Sequence, residues 1–185
     1  MDDELFTWIS ELATAEACDL QPVDETLLWR LLAEPDVWFG ALSDFEAGKV
    51  VSHVAQTALP PVLERAGERR QAWLDLIYRF FEHGLVPRCG DHLGHRGEGT
   101  QLSGACYMFF DLLGLESCIQ GELALALYAR ILALPSLAAQ EAALHGLGHF
   151  AGDTYHPGVA AIIDAATIGD QLQVYAEAAR SGSVL

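Results

Sequence analysis

Apolar residues recur at three- and four-residue spacing from one end of this chain to the other. No segment alternates β-branched with polar residues, and there is no Asn-Gly or Asp-Gly hairpin turn. That pattern restricts the chain to an all-α fold. Leu5, Trp8, Ile9 and Leu12 share one face behind Asp2, Asp3 and Glu4, whose charge suits the positive end of a first helix. Asp24 is placed to N-cap a second, Leu27-Leu28-Trp29-Arg30-Leu31-Leu32, which stops ahead of Pro35 because the ring disfavours helical geometry in the preceding residue. Asp36 is placed to cap a third, with Trp38, Leu42 and Phe45 at helical spacing and Gly48 as its stop. Residues 49–58 read as a fourth, ended by Pro60-Pro61. A fifth begins near Pro61, weakens at Gly67 and resumes as the core stripe Ala72, Trp73, Leu76, Ile77, Phe80 and Phe81, closed by Gly84.

A Gly-rich stretch follows, with five glycines and a proline between Gly84 and Gly99, and it reads as a functional or mobile loop over 84–102. Beyond it, Ser103 is placed to cap a helix carrying Tyr107, Phe110 and Leu113, ended by Gly114. Further helices are expected at 120–133, 137–150, 157–168 and 170–180, with Pro157 suiting a first helical position. The expectation is one domain over 1–185 with about nine to ten helices. Its parts are acidic N-terminal helices (1–83), the loop (84–102) and a helical third part (103–185).

Composition then narrows the function. The 185 residues are 51% apolar with mean hydropathy +0.21, enough for a packed core, yet 26 acids face 10 bases for a net charge of −16. Disorder needs low hydrophobicity alongside such charge, and sequence-general nucleic-acid binding needs a basic surface, so both are excluded. The apolar run Leu123–Ala129 is cut by Arg130, far short of the roughly twenty residues a membrane span needs. The acidic start is unlike a secretory leader, which predicts a cytoplasmic protein. Cys18, Cys89, Cys106 and Cys118 form no CxxC pair and read as free thiols. Residues 1–48 hold twelve acids against Arg30 alone, residues 49–100 are near neutral with most of the Arg, and 101–185 are mildly acidic. The negative charge is therefore concentrated in the first quarter, either as a solvated face or as a surface for a basic partner.

Shifting 120–150 by 35 residues lays Leu123–Leu132 on Gly158–Thr167, and Ala143-Leu144-His145-Gly146 on Ala178-Ala179-Arg180-Ser181, with small residues in step. That is the period of a helix–turn–helix repeat. The string Gln140-Glu141-Ala142-Ala143-Leu144-His145-Gly146-Leu147-Gly148-His149 resembles the inner helix of bacterial HEAT-like repeat proteins, and the resemblance covers roughly 103–185. It implies a compact right-handed solenoid of helical hairpins, with an irregular α-bundle as the alternative.

The chemistry-bearing residues are few. His145 and His149 share a helix face as in zinc enzymes, but Gly146 occupies the place of the general-base Glu of His-Glu-x-x-His, so a metalloprotease is not expected. Cys89, His92 and His95 offer three close zinc ligands, with Asp91 as an oxygen alternative, but no second ligand pair follows. There is no phosphate-binding glycine loop and no GxSxG elbow, and Cys106 sits in an apolar helix. No cofactor, metal or catalytic group is assigned. Trp38-Phe39 amid Glu34, Asp36, Asp44 and Glu46 suggests an aromatic anchor ringed by steering charge, or else plain core packing.

Small, acidic, HEAT-like bacterial proteins of this kind resemble the immunity proteins encoded beside polymorphic toxins. The resemblance implies a non-catalytic inhibitor, monomeric before complex formation, that occludes a basic toxin. The partner-contacting candidates are Asp24, Glu25, Glu34, Asp36, Trp38, Phe39, Asp44, Glu46, His92 and His95. Two alternatives stand beside it: a zinc-dependent or other enzyme built on Cys89, His92, His95, His145 and His149, and a helical-repeat scaffold.

Overall fold

The computed structural model describes residues 3–14, 24–119, 121–154 and 157–184, the side chains of 116 and 152–154 excepted. Asp2 and Cys18 lie outside the described residues. All regular structure among the described residues is helical, and no helix there is long and apolar enough to cross a membrane.

Helix α1 (Asp3–Thr14) buries Leu5, Ile9 and Leu12. Helix α2 (Glu25–Ala33) is capped as expected, the Asp24 carboxylate accepting the N–H groups of Thr26 and Leu27 at 2.8 and 3.1 Å. The single helix expected from Asp36 to Gly48 is instead two. Helix α3 (Pro35–Phe39) ends after little more than a turn, and α4 (Asp44–His53) starts afresh at Ser43. The Ser43 hydroxyl accepts the Glu46 N–H while the Glu46 carboxylate accepts the Ser43 N–H, a reciprocal cap that satisfies two orphan donors at once. Gly48 therefore lies inside α4. A Cβ there would stand 2.7 Å from the backbone of Gln101, so glycine is what lets α4 cross closely over α8 (Gln101–Tyr107).

Neither proline site ends a helix. Helix α4 passes through a π turn (Val54–Ala58) into α5 (Leu59–Arg65), with the Leu59 N–H bonded five residues back to the Val54 carbonyl just ahead of Pro60-Pro61. Helix α6 (Arg70–Phe80) does the same through Phe81–Leu85 into α7 (Val86–Cys89), where the Val86 N–H reaches the Phe81 carbonyl just ahead of Pro87. A widened turn carries the backbone past the point where the ring would clash and its missing N–H would leave a carbonyl unmatched. Gly84 consequently closes nothing. Its lack of a side chain admits the Phe39 ring, 2.7 Å from where a Cβ would be. The expected loop over 84–102 shrinks to the stretch after α7, which holds the short 3₁₀ turn Gly94–Arg96 and is pinned by the fully buried Leu93.

Past this segment, α8 starts ahead of Ser103, at Gln101, and α9 (Phe109–Leu113) ends at Gly114 in the left-handed region at φ 55°. A short α10 (Leu115–Cys118) follows. Then come α11 (Gly121–Leu132), α12 (Leu137–Thr154), α13 (Gly158–Ala165) and α14 (Gln173–Arg180). Helices α11/α12 and α13/α14 form successive hairpins, matching the offset seen in the sequence, and α12 packs against both α11 and α14. The molecule is the irregular bundle of the two expected architectures. In a solenoid each repeat touches only its neighbours, whereas α12 is enclosed by α7, α8, α9, α11, α13 and α14. One contiguous apolar core runs from Leu5 to Ala179. Through it passes a series of ring contacts linking Trp38, Phe39, Phe80, Phe109, Phe81, Phe110 and Tyr128.

Candidate functional site

The structure divides the expected site residues into three groups. Trp38 and Phe39 do not stand at the surface. Both rings are buried and stacked on each other at 4.1 Å, and the Trp38 indole N–H donates to the Leu31 carbonyl at 2.8 Å. The turn of α3 points them at α6, so neither is an exposed anchor. What stands out instead is their neighbour Val37, 53% exposed, together with Phe45, 63% exposed, at the start of α4.

Four of the acids have structural work. Asp24 caps α2, Glu46 caps α4, and Glu25 faces Arg65 and Arg69 at 3.7 and 3.8 Å. Asp44 pairs with Arg88, whose guanidinium also donates to the carbonyls of Phe39 and Leu42 and so ties the 39–44 turn to α7. Arginines from the near-neutral middle thus fold back onto the acidic first quarter. Glu34 and Asp36 are exposed and form no ion pair among the described residues.

The Cys89, His92 and His95 set does not converge. Cys89 is buried with its thiol on the Leu102 carbonyl, His92 is exposed, and His95 turns inward. Cys106 is no nucleophile either, since the adjacent Cys89 and burial push its thiol well up.

The inward turn of His95 opens onto a polar chain inside an otherwise apolar molecule. Glu141 on α12 is 1% exposed and accepts the backbone N–H groups of Gly94 and His95, at 2.7 and 3.0 Å, as well as the His95 ring Nδ1. The His95 ring stacks on Tyr175 of α14, with centroids 4.6 Å apart. The Tyr175 hydroxyl meets His145 Nδ1 at 2.7 Å and the Tyr107 hydroxyl at 3.1 Å. His145 Nε2 faces His149 Nε2 at 3.3 Å, and His149 Nε2 faces Asp111 Oδ1 on α9 at 3.6 Å. Burial and the neighbouring His149 push the His145 imidazole down to about 4, so it is neutral at physiological pH. Burial, helped by the Tyr107 hydroxyl, pushes the Tyr175 phenol up, and it stays protonated as a donor. Asp111, His145 and His149 bring one carboxylate oxygen and two ring nitrogens within 4.8 Å of one another.

Glycines set this convergence. A Cβ on Gly146 would lie 2.5 Å from the Tyr128 ring and 2.9 Å from Phe110 Cβ, so the bare backbone lets α9, and Asp111 with it, come up against α12. Gly148 likewise admits Val184. Gly146, in the place of a protease's general base, therefore has a packing role.

The sequence signalled His145 and His149 but missed Glu141, Asp111, Tyr107 and Tyr175. Glu141 was visible in principle: an acid in a small-residue helix, four and eight residues ahead of the two histidines, marks a polar row on an apolar helix. Nothing in the sequence pointed to Asp111 or the tyrosines, which arrive from other helices. Comparison with known protein families, characterised proteins and solved structures finds no match to this chain.

Proposed function

We propose that the protein is a binding module of the immunity-protein type, capturing a basic partner protein on its acidic N-terminal face and blocking it. One observation carries this reading: two large apolar side chains, Val37 and Phe45, stand 53% and 63% exposed in a segment whose other surface residues include Glu34, Asp36, Asp44 and Glu46. An apolar centre with an acidic rim suits a cationic protein surface, the apolar contacts slowing dissociation and the charges speeding encounter. Glu34 and Asp36, unpaired among the described residues, supply the steering charge, and the net charge of −16 supports it at long range.

The test uses the protein encoded next to this one as bait, in stoichiometric mixing and growth rescue. The reading expects co-elution, loss of roughly tenfold or more in affinity for the F45A/V37A pair, and a slower on-rate with a flatter salt dependence for E34K/D36K. No co-elution, or unchanged binding in all four substitutions, overturns it.

A further inference from the structure

The polar chain lies outside the acidic face, and nothing in the binding reading uses it. We propose that Asp111, His145 and His149 form a binding site for a divalent zinc ion, with at least one coordination position left open to solvent.

The distances favour a shared ion over a hydrogen-bonded pair. An ion held tetrahedrally by bonds of about 2.0–2.1 Å has ligand atoms about 3.3–3.4 Å apart. The two imidazole Nε2 atoms are 3.3 Å apart, and His149 Nε2 is 3.6 Å from Asp111 Oδ1. The second separation is too long for a hydrogen bond and the first lies beyond the usual range, so three donor atoms converge without satisfying one another. The rings meet at 84°, edge to face, so both nitrogens address a common point.

The surroundings fit a metal ligand set. Ligating histidines characteristically have their second ring nitrogen fixed by an outer partner, and His145 Nδ1 has the Tyr175 hydroxyl at 2.7 Å, itself held by Tyr107 at 3.1 Å. Tyr175 is pinned from the far side by the stacked His95 ring, which Glu141 holds. Two nitrogens and one oxygen form a borderline donor set suited to zinc. His145 is buried, whereas the His149 and Asp111 side chains are 34% and 40% exposed, so the cluster is closed on its core side and wet on the other. Three protein ligands with a solvent-facing fourth position describe a site that holds a reactive water.

The test is metal binding by the full chain, purified without a polyhistidine tag and stripped with chelator. Zinc titrated calorimetrically is expected to bind at one ion per chain, and cobalt in its place is expected to give a visible absorption spectrum of low-symmetry four- or five-coordination. D111N and H149Q, both at partly exposed positions, are expected to weaken zinc at least tenfold while keeping the helical circular dichroism of the parent. Y175F, a positioning change, is expected to weaken it about tenfold without altering stoichiometry, and H92Q to leave it unchanged. Absence of binding by the parent protein overturns the proposal. So does equal affinity in D111N and H149Q, or loss of binding in H92Q. Partner capture by F45A/V37A reports on the other surface, so either reading can fail alone.

Discussion

Gly146 lies under Tyr128 so closely that a Cβ would stand 2.5 Å from the ring, and this contact brings α9 and α11 against α12 on the side where the two histidines lie. The G146A variant is expected to unfold about 1–3 kcal/mol more easily, the usual cost of overpacking a dense core. Denaturant titration measures this. A variant as stable as the parent would show that Tyr128 yields freely and that Gly146 does not set the helix spacing.

Glu141 is buried at the end of the polar chain and holds the Gly94–His95 backbone by two N–H bonds. Replacement by alanine strands both donors and frees the His95 ring, for an expected loss of about 3 kcal/mol. Amide hydrogen exchange at Gly94 and His95 should accelerate more than at Leu144 in the middle of α12. Equal acceleration at all three would indicate general destabilisation rather than release of the turn.

Arg88 joins the 39–44 turn to α7 through Asp44 and the carbonyls of Phe39 and Leu42. R88A is expected to cost about 2 kcal/mol, as for removal of hydrogen bonds made by a charged donor. R88K should recover only part of it, because an ammonium lacks the planar fork that reaches all three acceptors. Full recovery by lysine would reduce the contact to simple charge. By contrast F45A should change stability by less than about 0.5 kcal/mol, since that side chain is mostly in water.

Burial pushes His53, at the end of α4, below its ordinary 6.5. Between its folded value and 6.5 the unfolded chain binds more protons than the folded one, so stability rises with pH through that interval and is flat above it. Cooling from pH effects of the carboxylates is avoided by comparing pH 7.5 with about 5.5, above the ordinary carboxylate range. The parent should lose stability on that descent, and H53Q should lose less. An identical pH dependence in the two proteins would remove His53 from the account.

Helix identity was legible from apolar spacing because burial on one face dictates it, and Asp24 and Gly114 acted where they were read. The misplaced boundaries share a physical cause, namely that local rules compete. Ser43 with Glu46 offers a reciprocal cap that outweighs the single acceptor of Asp36, so the chain restarts there. Pro60 and Pro87 disfavour a regular turn, but the apolar residues on either side gain more by staying in one rod than by breaking it. The candidate site was half legible. His145 and His149 are neighbours along one helix, whereas Asp111, Tyr107 and Tyr175 reach them only through the packing of α8, α9 and α14. Trp38 and Phe39 were conspicuous as types, but their burial depended on the Pro35 turn facing α6.

The two π turns leave a further mark on the chain. Each is equivalent to one residue inserted into a regular helix, and each turns everything after it by about 100° relative to an unbroken α-helix. Removing one residue from Val54–Ala58 or Phe81–Leu85 would restore regular hydrogen bonding locally while rotating α5 or α7 out of register with the core. The phase of the apolar stripe on either side of these prolines is therefore tied to the length of the turn between them, and a single deletion there should do more damage than many substitutions.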